Sequence, residues 1–278
     1  MPRFAANLLY LFTEVPFFDR FELAAKCGFK AVEFHVPYDW PVNELAAVLK
    51  DNRLDMVLMD TQMGHWSGGE RGYAALPGKE AEFRASLDRT IEYASTLGCK
   101  TVHVMASVVQ PGTDRGAMER VYVSNLATAA ERFKPYGIRA VVEPINNRLG
   151  ITLGQASYTT QGMLGYLINT TGQAVKLIEQ ADSDNVFLHL DCYHMQLMEG
   201  HLAETLREQM PRLQHIQIAG VPGRHEPDVG EINYPFIFDL LDECGYSGWI
   251  GCEYRPHTTT LAGLGWAARY GISEQNLI

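Results

Sequence analysis

The stretch Val186 to Gln196 reads VFLHLDCYHMQ. Val186, Phe187, Leu188 and Leu190 make an apolar run of strand length, and the polar break that ends it is Asp191, with His194 three positions on. Asp is a common turn residue and helix N-cap, so one such break carries no function by itself. Its meaning depends on whether other strands end the same way.

Similar short runs, rich in β-branched and aromatic residues, occur at Phe4 to Leu8, Ala31 to His35, Met56 to Met59, Thr101 to Met105, Ile138 to Glu143, Val186 to Asp191, Leu213 to Ile218 and Trp249 to Glu253. Between them lie longer stretches of helical periodicity, such as FFDRFELAAKCG, EAEFRASLDRTIEYASTLG and FIFDLLDECG, each closing on a glycine that suits a helix C-terminus. Strand then helix, eight times, is the outline of an α/β protein of the (β/α)8 TIM barrel class. A dinucleotide-binding sheet is disfavoured because no GxGxxG follows the first strand, and two half-size domains because no Pro/Gly/Ser-rich linker divides the chain. The expectation is one barrel domain over 1–278.

The bulk numbers fit that reading. A chain of 278 residues, 46% hydrophobic and 20% charged, is ordinarily globular, and barrels of about 250 residues are routine single domains. The net charge of −10 disfavours nucleic-acid partners, which need a basic face. The five cysteines, Cys27, Cys99, Cys192, Cys244 and Cys252, are scattered and form no CxxC pair, so neither a disulfide framework nor a thiolate zinc site is expected, and a reducing cytoplasm fits best. No apolar run approaches the roughly 20 residues of a membrane span, so no membrane association is expected. A homo-oligomer is compatible with the sequence.

Two connections are longer than turns: Asp60 to Lys79 after the third strand and Asn146 to Gly172 after the fifth. In a barrel both lie on the carboxyl-terminal face, where long loops serve as lids. His65 and Trp66 in the first are candidates to close over a substrate and exclude water.

Strands five to eight end in VVEP, LHLD, IQIAG and GCEY, delivering Glu143, Asp191, Gln217 and Glu253. Consecutive strand ends of a barrel stand side by side around one rim, so these oxygen-bearing side chains converge. Three carboxylates brought together repel one another and lose hydration, and a divalent cation offsets both costs. An all-oxygen set suits Mg²⁺ or Mn²⁺ better than a structural zinc. Each residue also has a bland reading: Glu143 as a helix cap, Gln217 satisfying backbone groups inside the barrel, and Glu253 paired with Arg255.

The sequence resembles the xylose isomerase-like barrels, and within them the hydroxypyruvate isomerase family. The blocks that carry the likeness are RFAANL at Arg3 to Leu8, GERG at Gly69 to Gly72, EPIN at Glu143 to Asn146, DCYHMQ at Asp191 to Gln196, HIQIAGVPGRHEPDVGEINY at His215 to Tyr234 and GWIGCEY at Gly248 to Tyr254. Its later half looks equally like the 2-oxo-tetronate isomerases of that family. The loop Asn147 to Gly172 is longer than the family pattern. The resemblance implies that Glu143, Asp191, Gln217 and Glu253 bind a divalent cation, and that Glu143 and Glu253 double as the acid/base pair. It further implies the isomerisation of a small hydroxy-oxo acid, hydroxypyruvate to tartronate semialdehyde or a 2-oxo-tetronate to its 3-oxo isomer.

Such a reaction removes a proton from one carbon and returns it to the next, with negative charge passing through an enediolate. His194 is a candidate hydrogen-bond donor to a substrate oxygen, with a helix-capping histidine as the alternative; His189, one step deeper, suits a supporting role. Arg71 and Arg224 are candidates for the substrate carboxylate because a guanidinium fork matches it bidentately. Glu226 and His225 are further candidates, and Glu231 reads as a cap for the next helix. Cys192 and Cys252 should point away from the site. Two rivals use the same outline: a ketose 3-epimerase and a non-enzymatic, metal-dependent small-molecule binding protein. An abasic-site endonuclease requires more histidine ligands and a basic surface.

Overall fold

Alternation along each strand puts one set of side chains against the helices and the other inside the sheet, and both sets are populated here by distinct chemistry. The computed structural model describes residues 1–64, 71–109, 112–148 and 163–277. Among the described residues nine strands, all parallel to their neighbours, form one sheet: β1 Arg3–Asn7, β2 Ala31–Glu33, β3 Asp55–Met56, β4 Met59–Asp60, β5 Thr101–His103, β6 Arg139–Val142, β7 Val186–Asp191, β8 Leu213–Ile218 and β9 Trp249–Cys252. Their spatial order is β3-β2-β1-β9-β8-β7-β6-β5-β4.

β3 and β4 are the two halves of the expected third strand. β3 pairs with β2 and β4 pairs with β5, so the two ends of the sheet meet in one stretch of chain. The interruption at Val57 and Leu58 has a consequence for orientation. Val57 packs with Ala5 and Ala31, yet Asp60, three residues on, faces His35 and His103 across the sheet. Strict alternation would put residues 57 and 60 on opposite faces; the break resets the parity, as a bulge does.

The helices are α1 Asp19–Cys27, α2 Val42–Asn52, α3 Glu80–Thr96, α4 Arg115–Phe133, α5 Thr171–Gln180, α6 Cys192–Met198, α7 Leu202–Gln209 and α8 Tyr234–Glu243. The strand and helix alternation is therefore present, with two departures. The seventh connection carries two short helices, α6 and α7, and after β9 the chain forms 3₁₀ turns at Ala262–Tyr270 in place of a final α-helix. α1 ends where the sequence expects: Gly28, at φ 108°, donates to the carbonyls of Ala24 and Ala25. No helix among the described residues is long and apolar enough to cross a membrane.

The large core lies between sheet and helices and takes the outward strand residues, among them Phe4, Val32, Val102, Val142, Leu190, Ile216 and Ile250. Inside the sheet the floor is a small cluster of Ala5, Ala31 and Val57, with Trp249 packed against it. Above that floor the interior is polar.

Candidate active site

Asn7, Glu33, Asp60, His103, Glu143, His189, Asp191, His215, Gln217 and Glu253 all sit at or near the carboxyl ends of strands, and every one is buried. Groups this polar persist without water only when partnered. Four of the carboxylates, Asp60, Glu143, Asp191 and Glu253, form a closed circuit with four basic or imidazole side chains around the mouth of the barrel. Glu143 Oε1 lies 3.9 Å from His194 Nε2, which is 3.5 Å from Asp191 Oδ2. The same Asp191 oxygen accepts from Arg224 Nη2 at 2.9 Å, and that nitrogen stands 3.0 Å from Glu253 Oε1. Glu253 Oε1 meets His35 Nε2 at 3.3 Å, and the other His35 nitrogen reaches Asp60 at 3.4 Å. His103 Nδ1 completes the path, 3.5 Å from Asp60 and 3.4 Å from Glu143 Oε2. Acids and basic or imidazole groups alternate all the way round, so each carboxylate has a basic or imidazole nitrogen on both sides.

The compensation is unequal. Burial and the negative charges of Glu253 and Asp191 push the Glu143 carboxyl well above the usual carboxylate range. Burial also raises Asp191, to about 7, against the downward pull of Arg224. For Glu253 burial acts upward too, but Arg224 and His35 together outweigh it and hold the group at about 2. Burial works against a charge on His35, yet Asp60 and Glu253 raise it well above the ordinary imidazole value. His194 goes the other way, lowered by burial and by Arg224. One guanidinium among Glu143, Asp191 and Glu253 leaves negative charge that a further cation would neutralise.

The residues fit such a cation. Ligand atoms of Glu143, Asp191 and His194 lie within 4.8 Å of one another, as do those of His103, Glu143 and His189. Gln217, in register with Asp191 on the adjacent strand, is fully buried, and its Oε1 has no hydrogen-bond partner among the described residues.

His194 has a defined tautomer. Asn146 Oδ1 accepts from the Arg148 amide, which leaves Nδ2 to donate to His194 Nδ1 at 2.6 Å. The His194 proton therefore sits on Nε2, facing Glu143 and Asp191, so that nitrogen serves as a donor and leaves a cation to the oxygens. Asn146 belongs to the EPIN block but had no assigned role. Helix capping falls to Asp191 instead, whose Oδ1 accepts from the Tyr193 amide at 2.7 Å.

The other expected residues divide. Arg224, at φ 56° and 2% exposed, is inside the circuit, stacked between Tyr10 and Tyr193 at 5.3 and 5.0 Å. Arg71 is fully buried beside Gly72, whose amide bonds to Met63. Glu226 is not part of the circuit: both carboxylate oxygens accept from the His257 amide, at 2.9 and 3.2 Å. That contact shapes the loop after β9. Glu231 does not cap α8; Asn233 does, and Glu231 accepts from Gln196 instead. Glu253 pairs with Arg224 and His35, not with Arg255. His189 lies deeper, its ring 5.1 Å from that of His215. Cys192 and Cys252 belong to the core on the helix side. His65 and Trp66 lie outside the described residues, as does most of the connection from Asn147 to Gly172.

Sequence reading overlooked Asn7, Glu33, His35, Asp60, His103 and His215. Each is a polar residue inside or just after an apolar run, a pattern that a turn also produces, and for Asp60 the parity change at Val57 and Leu58 hides the inward position.

Comparison with known proteins agrees with this geometry. The family model described as "Xylose isomerase-like TIM barrel" matches residues 21–270. A 2-oxo-tetronate isomerase of Cupriavidus necator is 45% identical over 97% of this chain and 99% of its own. A hydroxypyruvate isomerase of Escherichia coli is 40% identical over 97% of this chain and all of its own. A solved structure from Brucella melitensis, titled as an AP endonuclease of family 2, superposes with a TM-score of 0.91 at 44% identity, covering 97% of this chain and 99% of that one. A 3-keto-D-glucoside 4-epimerase from Escherichia coli, at 19% identity and a TM-score of 0.74, shares the fold. The polar circuit is thus carried on a chain that belongs to the xylose isomerase-like TIM barrel family.

Proposed function

We propose that the protein is an isomerase of small hydroxy-oxo acids, moving a carbonyl between adjacent carbons of a 2-oxo-tetronate or of hydroxypyruvate. The observation that carries the reading is the closed circuit that sets Glu143 and Glu253 around one buried, electron-rich mouth with Arg224 and His194 between them. The names of the full-length relatives point to the same substrate class.

Glu143, Asp191, Gln217 and Glu253 are the residues that would hold a divalent cation, with Mg²⁺ or Mn²⁺ suited to their oxygens. When bound, it supplies positive charge where the enediolate develops negative charge. The chain's own groups do the rest. One of the two glutamates takes the proton from carbon and the other assists its return or the transfer between oxygens. His194 Nε2–H donates to the substrate carbonyl oxygen, in a tautomer set by Asn146. Arg224 and Arg71 provide the buried positive charge that a substrate carboxylate requires. Burial of the circuit keeps bulk water from the carbanionic intermediate.

The test is turnover of hydroxypyruvate and of both 2-oxo-tetronate enantiomers by purified enzyme, with and without Mn²⁺, in deuterated water. Cation-dependent product carrying solvent deuterium supports the reading. Absence of turnover on all three acids overturns the substrate class, and product free of solvent deuterium overturns the open proton transfer.

A further inference from the structure

Glu33 ends β2 beneath the circuit and is 1% exposed. Its carboxylate receives three donors. Asn7 Nδ2 and Gln217 Nε2 reach Oε1 at 3.0 and 2.6 Å, and His215 Nε2 reaches Oε2 at 2.7 Å. A carboxylate only accepts, so each facing group must present an N–H. The Asn7 amide is fixed from its other end as well, since Oδ1 accepts from the Leu9 amide at 3.1 Å. For Gln217 the consequence is directional. With Nε2 held by Glu33, Oε1 is turned away from that carboxylate to the side of His189, whose ring lies 3.7 Å from Glu143, and that buried atom makes no close hydrogen bond among the described residues.

A second observation concerns Gly251. It lies in register with Gln217 on one side and Ala5 on the other, and a Cβ there would stand 2.3 Å from both Glu33 oxygens. Only the absence of a side chain on β9 lets the carboxylate lie where it does.

We propose that Glu33 is a positioning residue that sets the Gln217 amide with its oxygen, not its N–H, toward the cation-binding carboxylates, and that Gly251 supplies the space this requires. The inference rests on the cation set proposed above. An amide oxygen is a good ligand for a hard cation, whereas the NH₂ end would present positive charge to it. Removal of the acceptor-only group lets the amide turn, and loss of such an orienting contact costs about 10- to 100-fold in metal affinity.

The experiment measures Mn²⁺ affinity directly, by electron paramagnetic resonance of free Mn²⁺, with circular dichroism to confirm folding. Glu33→Gln, nearly isosteric, is expected to bind Mn²⁺ about 10- to 100-fold more weakly than wild type. Gly251→Ala, which displaces the carboxylate by another route, should do the same. The exchange Glu33→Gln with Gln217→Glu places the donor and the acceptor in each other's positions and is expected to restore affinity to within about fivefold, as a coupled pair requires. Wild-type affinity in folded Glu33→Gln, or no recovery in the exchange, overturns the proposal. A wild-type protein that binds no Mn²⁺ overturns the cation reading itself, a distinguishable result.

Discussion

Asp191 uses its two oxygens for different ends: Oδ1 caps α6 through the Tyr193 amide, and Oδ2 faces Arg224 and His194. The capping reading of that residue belongs to one oxygen, which leaves the other turned toward Arg224 and His194. Its elevated titration, near 7 against an ordinary 3.8, makes stability depend on pH. Between those values the folded protein holds more protons than the unfolded chain, so the cation-free protein loses stability as pH rises through the window. A divalent cation needs the carboxylates deprotonated, so its effect runs the other way. The rise in melting temperature on adding Mn²⁺ should be larger at pH 8 than at pH 6, and a pH-independent rise would contradict the assignment.

Glu253 gives the second prediction at this scale. Glu253→Gln keeps the shape and an oxygen for His35 and Arg224 but loses the base, so kcat should fall about 10²- to 10⁴-fold with an unchanged circular dichroism spectrum; turnover like wild type would remove Glu253 from the reaction. The strand-end residues were legible because each follows an apolar run and ends it. His35, Asp60 and His103 were not, since a single polar residue beside a run is also what a turn produces, and only closure of the barrel shows that His35 and His103 share Asp60.

Among elements, the eight strand positions stand where periodicity puts them, and β7 and β8 match to the residue. The split of the third strand was invisible because Val57 and Leu58 are as apolar as their neighbours and the parity change leaves no compositional mark. The final 3₁₀ turns were unreadable for a related reason: AGLGWAARY, with glycines at 263 and 265, carries an apolar face but low helix propensity. Gly28 tests the boundary of α1. Gly28→Ala asks a side chain to adopt φ 108° and brings a Cβ to 2.3 Å from the Gly271 carbonyl oxygen. A loss of about 1–3 kcal/mol is expected from the backbone conformation alone, read as a lower urea midpoint at constant slope.

For the whole molecule, the surplus of 33 acidic over 23 basic residues bears on the solved relative titled as an AP endonuclease. Binding duplex DNA depends on releasing counterions with a basic face. The protein is expected to leave an abasic-site duplex intact and unshifted on a gel at physiological salt, and cleavage there would reopen the substrate class.

The segment after Ile272 is clasped to the end of α1: the Ser273 amide and the Asn276 side chain both bond to the carbonyl of Cys27, each at 2.9 Å. Beneath this clasp the Cys27 sulfur is sealed from solvent, with its thiol pushed up to about 11 chiefly by burial. The cysteine is thus a ready-made latch sensor. A thiol reagent should leave it unmodified in the intact protein and label it once residues after Ile272 are trimmed, so the state of the tail can be followed by mass spectrometry without any introduced probe.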